Sequence, residues 1–199
     1  ETRDMKLTVI GSGDAFGSGG RLQTCFHVTS AGHTFLIDCG VTALIGMHRL
    51  GLDPNEVETV VLSHLHGDHF GGLVWWMLHG QHVAKRTAPL TVVGPQTVQS
   101  RFVAAAEALF PGSTKIKPRF EMHFIEYSKE QATAVGDMSV TPFEVRHPSG
   151  AMSSALRISA EGKTISYTGD TEWVESLVPA GKNADLYIMA TDVDGVYDA

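Results

Sequence analysis

The sequence predicts a layered α/β sandwich built on mixed sheets. Three observations lead there. Short apolar runs of strand character interleave with helical stretches along all 199 residues. Two pairs of strands are joined closely enough to be hairpins, so a purely parallel sheet is excluded. Glycine is abundant, at 21 residues beside ten histidines, which suits tight loops carrying polar ligands better than a helical bundle. A chain of this length fits one domain, read as residues 1–199. With 43% hydrophobic and 19% charged residues it can bury a core and is no disordered tail.

Taken in order, residues 6–10 read as a strand ending in the turn Gly11-Ser12-Gly13. Gly11, Gly13 and Gly17 favour a structural turn near the active site over a dinucleotide fingerprint, because Ser18-Gly19-Gly20 continues the loop where a helix would have to begin. Residues 24–30 and 34–37 read as a hairpin closed at Ala31-Gly32, and residues 41–50 as a helix after Asp38-Cys39-Gly40. Asp53 before Pro54 is a cap followed by proline at the first helical position. The run Thr59-Val60-Val61-Leu62 is a buried strand that feeds into Ser63-His64-Leu65-His66-Gly67-Asp68-His69. Residues 72–79, with Trp75 and Trp76, form a helix apolar nearly all round, hence core or interface. Residues 90–93 are a strand closed by Gly94-Pro95, and residues 96–110 a helix stopped by Pro111-Gly112. The second half predicts strands at 122–127, 140–146, 155–160, 163–167 and 186–189. It adds a hairpin turn at Glu161-Gly162 and a short helix at 172–178.

Fifteen basic against twenty-two acidic residues give a charge of −7, which disfavours a broad grip on nucleic acid. No apolar run reaches the ~18 residues of a membrane helix, so no membrane partner is expected. The first five residues lack the apolar stretch of a secretory signal, so a cytoplasmic setting is expected. There Cys25 and Cys39 would stay reduced, as buried thiols in apolar strands.

The chemistry concentrates in His64-x-His66-x-Asp68-His69. Imidazole nitrogens and a carboxylate suit zinc, and manganese or iron also. One short loop does not easily wrap four side chains around a single ion. Alternate side chains of an extended segment point the same way, so His64 and His66 suit one metal, Asp68 and His69 a neighbour. Gly67 permits the tight turn.

This pattern after a buried strand resembles the signature of the metallo-β-lactamase fold superfamily. His147, after the strand at 140–146, matches that family's next metal histidine, and Asp170 in Tyr167-Thr168-Gly169-Asp170-Thr171 its bridging aspartate. The opening, with Gly11-Ser12-Gly13-Asp14-Ala15 and Arg21-Leu22-Gln23-Thr24-Cys25, is similar to the ribonuclease Z and small-phosphodiesterase branch. So are Ser63 to Leu73 and Pro89 to Pro95. The resemblance implies a four-layer αββα sandwich and a two-metal site, zinc first. His64, His66 and His147 would hold one metal. Asp68, His69 and Asp170 would hold the other, Asp170 bridging. Two close cations bring a shared water towards a neutral pKa, and Asp68 is the catalytic residue expected to orient the hydroxide so formed.

The family's last metal histidine has no counterpart, since none follows Asp170, and its closing strand and helix are absent from the run. A longer natural polypeptide or a homodimer covering the strand at 186–189 is the expectation. Asp192 or Asp194 could substitute at the second site, although nothing in the sequence positions them there. The implied activity is a metal-dependent hydrolase acting on a small ester, a phosphodiester first. Lactone, thioester and sulfate-ester hydrolysis are the rivals, and a metal-binding scaffold without turnover is the alternative outside the enzymes. Transfer RNA is disfavoured, because the stretch from His147 to Asp170 leaves room for a hairpin and no long arm.

Overall fold

The computed structural model describes residues 5–30 and 32–190. Eleven strands form two sheets that pack face to face among those residues. The first sheet runs in the order β1 (Lys6–Gly11), β2 (Cys25–Thr29), β3 (Thr34–Ile37), β4 (Thr59–Val61), β5 (Leu90–Gly94), β6 (Met122–Glu126). Its first two pairings are antiparallel and the rest parallel, which accounts for both the hairpin and the helical crossovers. The second sheet runs β11 (Leu186–Ile188), β10 (Lys163–Tyr167), β9 (Ser154–Ala160), β8 (Met138–Glu144), β7 (Thr133–Val135). It is antiparallel except for the β10–β11 pair.

Strand alternation assigns the layers. Cys25, Leu36, Val60 and Val92 point to the outer side of the first sheet, under helices α1 (Ala43–Leu50), α3 (Gly72–His82) and α4 (Val98–Leu109). Phe26, Phe35, Val61 and Val93 point inward against Val140, Leu156, Ile158 and Tyr167 of the second sheet. Val145 and Ala155 meet Leu177 and Ala180 of α5 (Leu177–Gly181) on the far side. Three apolar seams between four layers make the expected αββα sandwich. Trp76 and both cysteines are buried in the core under the helices. Asp53 caps the turn at Pro54–Glu56 by accepting from Asn55 N at 2.9 Å.

Two elements differ from the sequence reading. The helix expected at 172–178 lies downstream, as α5. Residues 171 and 172 are drawn instead to Arg146, which donates from its backbone N to Thr171 Oγ1 and from its guanidinium to Glu172 Oε1. Pro179 then sits in the first turn of α5, where its missing N–H costs nothing. β7, three residues against β8 across the Gly136 turn, was too short to carry a pattern. Ala31 of the first hairpin turn and the tail from Thr191, with Asp192 and Asp194, lie outside the described residues.

Candidate metal centre

The segments that follow three strands supply the site. β4 stops at Val61, and residues 63–66 lead into the single-turn helix α2 (Gly67–Phe70), which carries Asp68 and His69. His147 follows β8 and Asp170 follows β10. The loop is pinned between the sheets: Tyr127 OH donates to Leu62 O at 2.9 Å, and Ser154 N donates to Ser63 O at 3.0 Å. Gly169 has a φ of +60°, and a methyl group on it would lie 2.9 Å from Ser154 O and 3.1 Å from Ser63 Cβ. Glycine is therefore what lets the Asp170 loop close on the His64 loop. Ser153 donates to His147 O at 2.7 Å and shares a 2.9 Å bond with Ser149, so both serines shape the His147 loop.

Five of the six expected ligands come together in two overlapping trios. Two trios, His64–His66–His147 and His64–His69–Asp170, each have their donor atoms within 4.8 Å of one another. His66 Nδ1 lies 3.0 Å from His147 Nε2. Asp170 Oδ2 lies 3.3 Å from His69 Nε2 and 3.9 Å from His147 Nε2, so it reaches both trios. Asp68 stands outside both, with its Oδ2 3.4 Å from His69 Nε2. Of the other histidines, His33 bonds Thr59, His123 pairs with Glu121, and the tilted rings of His48 and His79 lie 5.3 Å apart.

One residue that the motif reading passed over organises the rest. Asp38, fully buried at the end of β3, has a φ of +57°. It accepts from Ser63 N at 2.8 Å, from Ser63 Oγ at 2.8 Å and from His69 Nδ1 at 2.7 Å. Ser63 Oγ, its hydrogen committed to Asp38, accepts in turn from His64 Nδ1 at 3.0 Å. Both histidines thereby carry hydrogen on Nδ1 and aim Nε2 into the cluster. The signal available in the sequence was an aspartate directly after an apolar strand, in Ile37-Asp38-Cys39-Gly40.

Burial, reinforced by the neighbouring His69 charge, pushes His64 down to about 4. Burial alone would lower His69 too, but Asp38, Asp170 and Asp68 outweigh it and hold the imidazolium up at about 12. Burial would raise Asp68 and Asp170; hydrogen bonds and charge from His69 dominate and keep both below the usual carboxylate range. His64 Nε2 is a buried nitrogen with no hydrogen-bond partner. A neutral, buried imidazole lone pair facing other imidazoles and a carboxylate is the chemistry of a metal ligand, and the donor set fits a divalent cation.

Fold and site define a protein of the metallo-β-lactamase fold superfamily, on its ribonuclease Z-like branch. The chain belongs to the Anti-Pycsar protein Apyc1 family, whose model matches residues 5–194. It is 28% identical over 162 residues to ribonuclease Z of Lachnoclostridium phytofermentans, covering 81% of this chain and 51% of that protein. The chain thus spans about half the length of that relative. It is 28% identical over 188 residues to the probable metallo-hydrolase YhfI of Bacillus subtilis, covering 92% of this chain and 71% of YhfI. The crystal structure of YhfI superimposes with a TM-score of 0.73 at 25% identity, over 92% of this chain and 70% of that one. Human tRNase Z, short form, shares the fold with a TM-score of 0.71 at 22% identity, over 91% of this chain and 76% of that one. No helix among the described residues is long and apolar enough to cross a membrane.

Proposed function

We propose that this chain is a metal-dependent phosphodiesterase acting on a compact phosphodiester. The observation that carries the proposal is the paired trio of ligands, with Asp170 reaching both and the unpartnered His64 Nε2 between them. His64, His66 and His147 would hold one cation, and Asp68, His69 and Asp170 its neighbour. Zinc suits the imidazole and carboxylate donors, with manganese or iron acceptable to the same set. Cations bound there would bring a water within reach of ionisation near neutral pH and offset charge developing on phosphoryl oxygens.

The protein's own residues do the rest. Asp38 and Ser63 fix the tautomers of His64 and His69. Asp68 serves as the catalytic residue, its carboxylate at the rim of the cluster orienting the attacking water by hydrogen bond. Arg146, held by Thr171 and Glu172, clasps the His147 and Asp170 loops together. The ribonuclease Z relative supports phosphodiester chemistry, and the charge of −7 supports a small substrate over a large polyanion.

The test offers zinc- or manganese-loaded protein bis(p-nitrophenyl) phosphate, a cyclic mononucleotide, a precursor transfer RNA, a lactone and a thioester. Turnover of the two small phosphodiesters, abolished by chelation and restored by metal, is expected. Lactone or thioester hydrolysis without phosphodiester turnover would replace this reading. Tight metal binding without any turnover would leave a scaffold.

A further inference from the structure

We propose that the chain carries a second binding site, away from the metal centre, for a single-chain amphiphile with an anionic head group, such as a medium-chain fatty acid. The site is a cavity of about 380 Å³ between α3, α4, β6 and the segment that joins α4 to β6. A volume of that size takes one small molecule or one acyl chain and is too confined for the face of a partner helix.

The walls are apolar and the cavity is held open. Met77 and Leu78 come from α3, Phe102 and Val103 from α4. The apolar part of the facing wall is every second residue of one run: Ile116, Pro118, Phe120, Met122 and Phe124. Phe120 is fixed and does not swing in to fill the space. A methyl group on Gly80 would come within 2.7 Å of its Cε1, and the Arg86 guanidinium carbon lies 5.6 Å from its ring centroid. The rings of Phe102 and Phe124 hold each other at 5.4 Å. The joining segment is tied down at both ends. Glu107 accepts from Gly112 N at 2.8 Å and from Thr114 N at 3.0 Å. Gln81 accepts from Arg119 N at 2.8 Å and donates to Lys117 O at 3.2 Å. Val103 and Ile116, 40% and 42% exposed, mark the opening. A cavity already built takes up an apolar chain with little cost of ordering the protein.

Charge at the opening selects the head group. Lys115, Lys117 and Arg119 alternate with the wall residues and are exposed. Residues 108–120 thus carry three positive charges and no negative one, in a chain of net charge −7. Neither Lys117 nor Arg119 has an ion-pair partner among the described residues. Side chains of this kind lay their carbons along apolar surface and keep the charge in water, which places a cation beside the head of a seated chain. Glu121, the one carboxylate of the lining, has its Oε2 3.4 Å from His123 Nε2. The site is separate from the metals. The in-register row Thr59, Thr91, His123 sets Met122 level with the start of β4, whereas the metal ligands begin beyond the end of that strand.

The test titrates chelator-stripped and zinc-loaded chain with hexanoate, octanoate, decanoate, dodecanoate and tetradecanoate by calorimetry, each below its micellar concentration. Each added methylene should tighten binding about fourfold until the cavity is full, at about ten to twelve carbons, and affinity should then level off. Stripped and loaded chain should bind alike. Val103→Trp, at the opening, should weaken decanoate by about tenfold or more at unchanged melting temperature and zinc content. Lys117→Glu combined with Arg119→Glu should weaken decanoate about tenfold and leave decanol unaffected. The chain-length profile is read on the parent and needs no variant. No saturable binding, a rise unbroken through tetradecanoate, a requirement for zinc, or parent-like affinity in folded Val103→Trp would overturn the proposal. Equal losses of decanol and decanoate in the charge variant would reject the anionic head group. Pelleting with phosphatidylglycerol vesicles without binding of dispersed carboxylates would make the patch a membrane contact. A Val103→Trp effect confined to sedimentation would make it a contact between two copies of the chain. Either result would also overturn the proposal.

Discussion

Asp38→Asn is the most informative single substitution, because the amide keeps the size of the carboxylate and reverses half of its hydrogen bonding. Asparagine also tolerates the left-handed backbone that Asp38 adopts, so the turn itself is preserved. In the parent all three partners of the side chain donate: Ser63 N, Ser63 Oγ and His69 Nδ1. Either orientation of the amide sets an N–H against one of those donors. With the amide oxygen kept towards Ser63 N, the new amide N–H faces Ser63 Oγ and His69 Nδ1. Ser63 Oγ then accepts from the introduced amide, turns its own hydrogen to His64 Nδ1 and forces the hydrogen of His64 onto Nε2. His69 shifts the same way. Both nitrogens meant for a metal would carry hydrogen.

The magnitudes follow from that geometry. Replacing a charged, buried acceptor by a mismatched amide costs about 2–3 kcal/mol. Loss of a partner behind a ligating histidine lowers metal affinity about 10–100-fold, here at both trios. Urea unfolding of chelator-stripped parent and variant reads the first quantity, and competition for zinc with a chromophoric chelator reads the second. Circular dichroism confirms the fold. Should the folded Asp38→Asn variant bind two zinc ions as tightly as the parent, the tautomer argument is wrong.

Asp68→Ala should leave the melting temperature nearly unchanged and cut phosphodiester turnover by about two to four orders of magnitude, since the group that orients the water is lost; parent-like steady-state rates would exclude that role. In zinc titrations of stripped protein the His64–His66–His147 trio should fill first. The second ion must displace the proton that His69 holds up to about 12, so its affinity should climb as pH rises from about 6.5. That imidazolium stabilises the stripped fold fully below the unfolded histidine pKa, and the contribution fades as pH rises towards 12. Calorimetry between about pH 6.5 and 9 checks this, and a flat second affinity would contradict it. Gly40→Ala would drive a methyl group into Asp68 O at 2.4 Å. It should destabilise by about 1–3 kcal/mol and weaken metal binding together, whereas a neutral outcome in both would show that α2 gives way freely.

How far the sequence reached depended on how local each feature is. His64, His66, Asp68 and His69 were legible because they fall within six consecutive residues after an apolar strand. Cys25 and Cys39, the cap at Asp53 and the three-strand opening were equally local. His147 and Asp170 carry no spacing rule relative to that loop, and only the family resemblance picked them out. Their approach depends on Gly169 lying against Ser63, a contact between sheets. The displaced helix at 172–178 has the same cause, since Arg146 and its partners lie some 25 residues apart in the chain.

Asp38 marks the limit most clearly. On its strand it is one polar residue at the end of an apolar run, and nothing nearby in sequence needs it. Its partners Ser63 and His69 come within reach because β3 and β4 are parallel neighbours in register, Ile37 beside Val61. The same pairing places Asp38 N on Val61 O at 2.8 Å and brings Cys39 N to His69 O at 2.6 Å. The strand pairing that builds the sheet therefore also sets the hydrogens on His64 and His69.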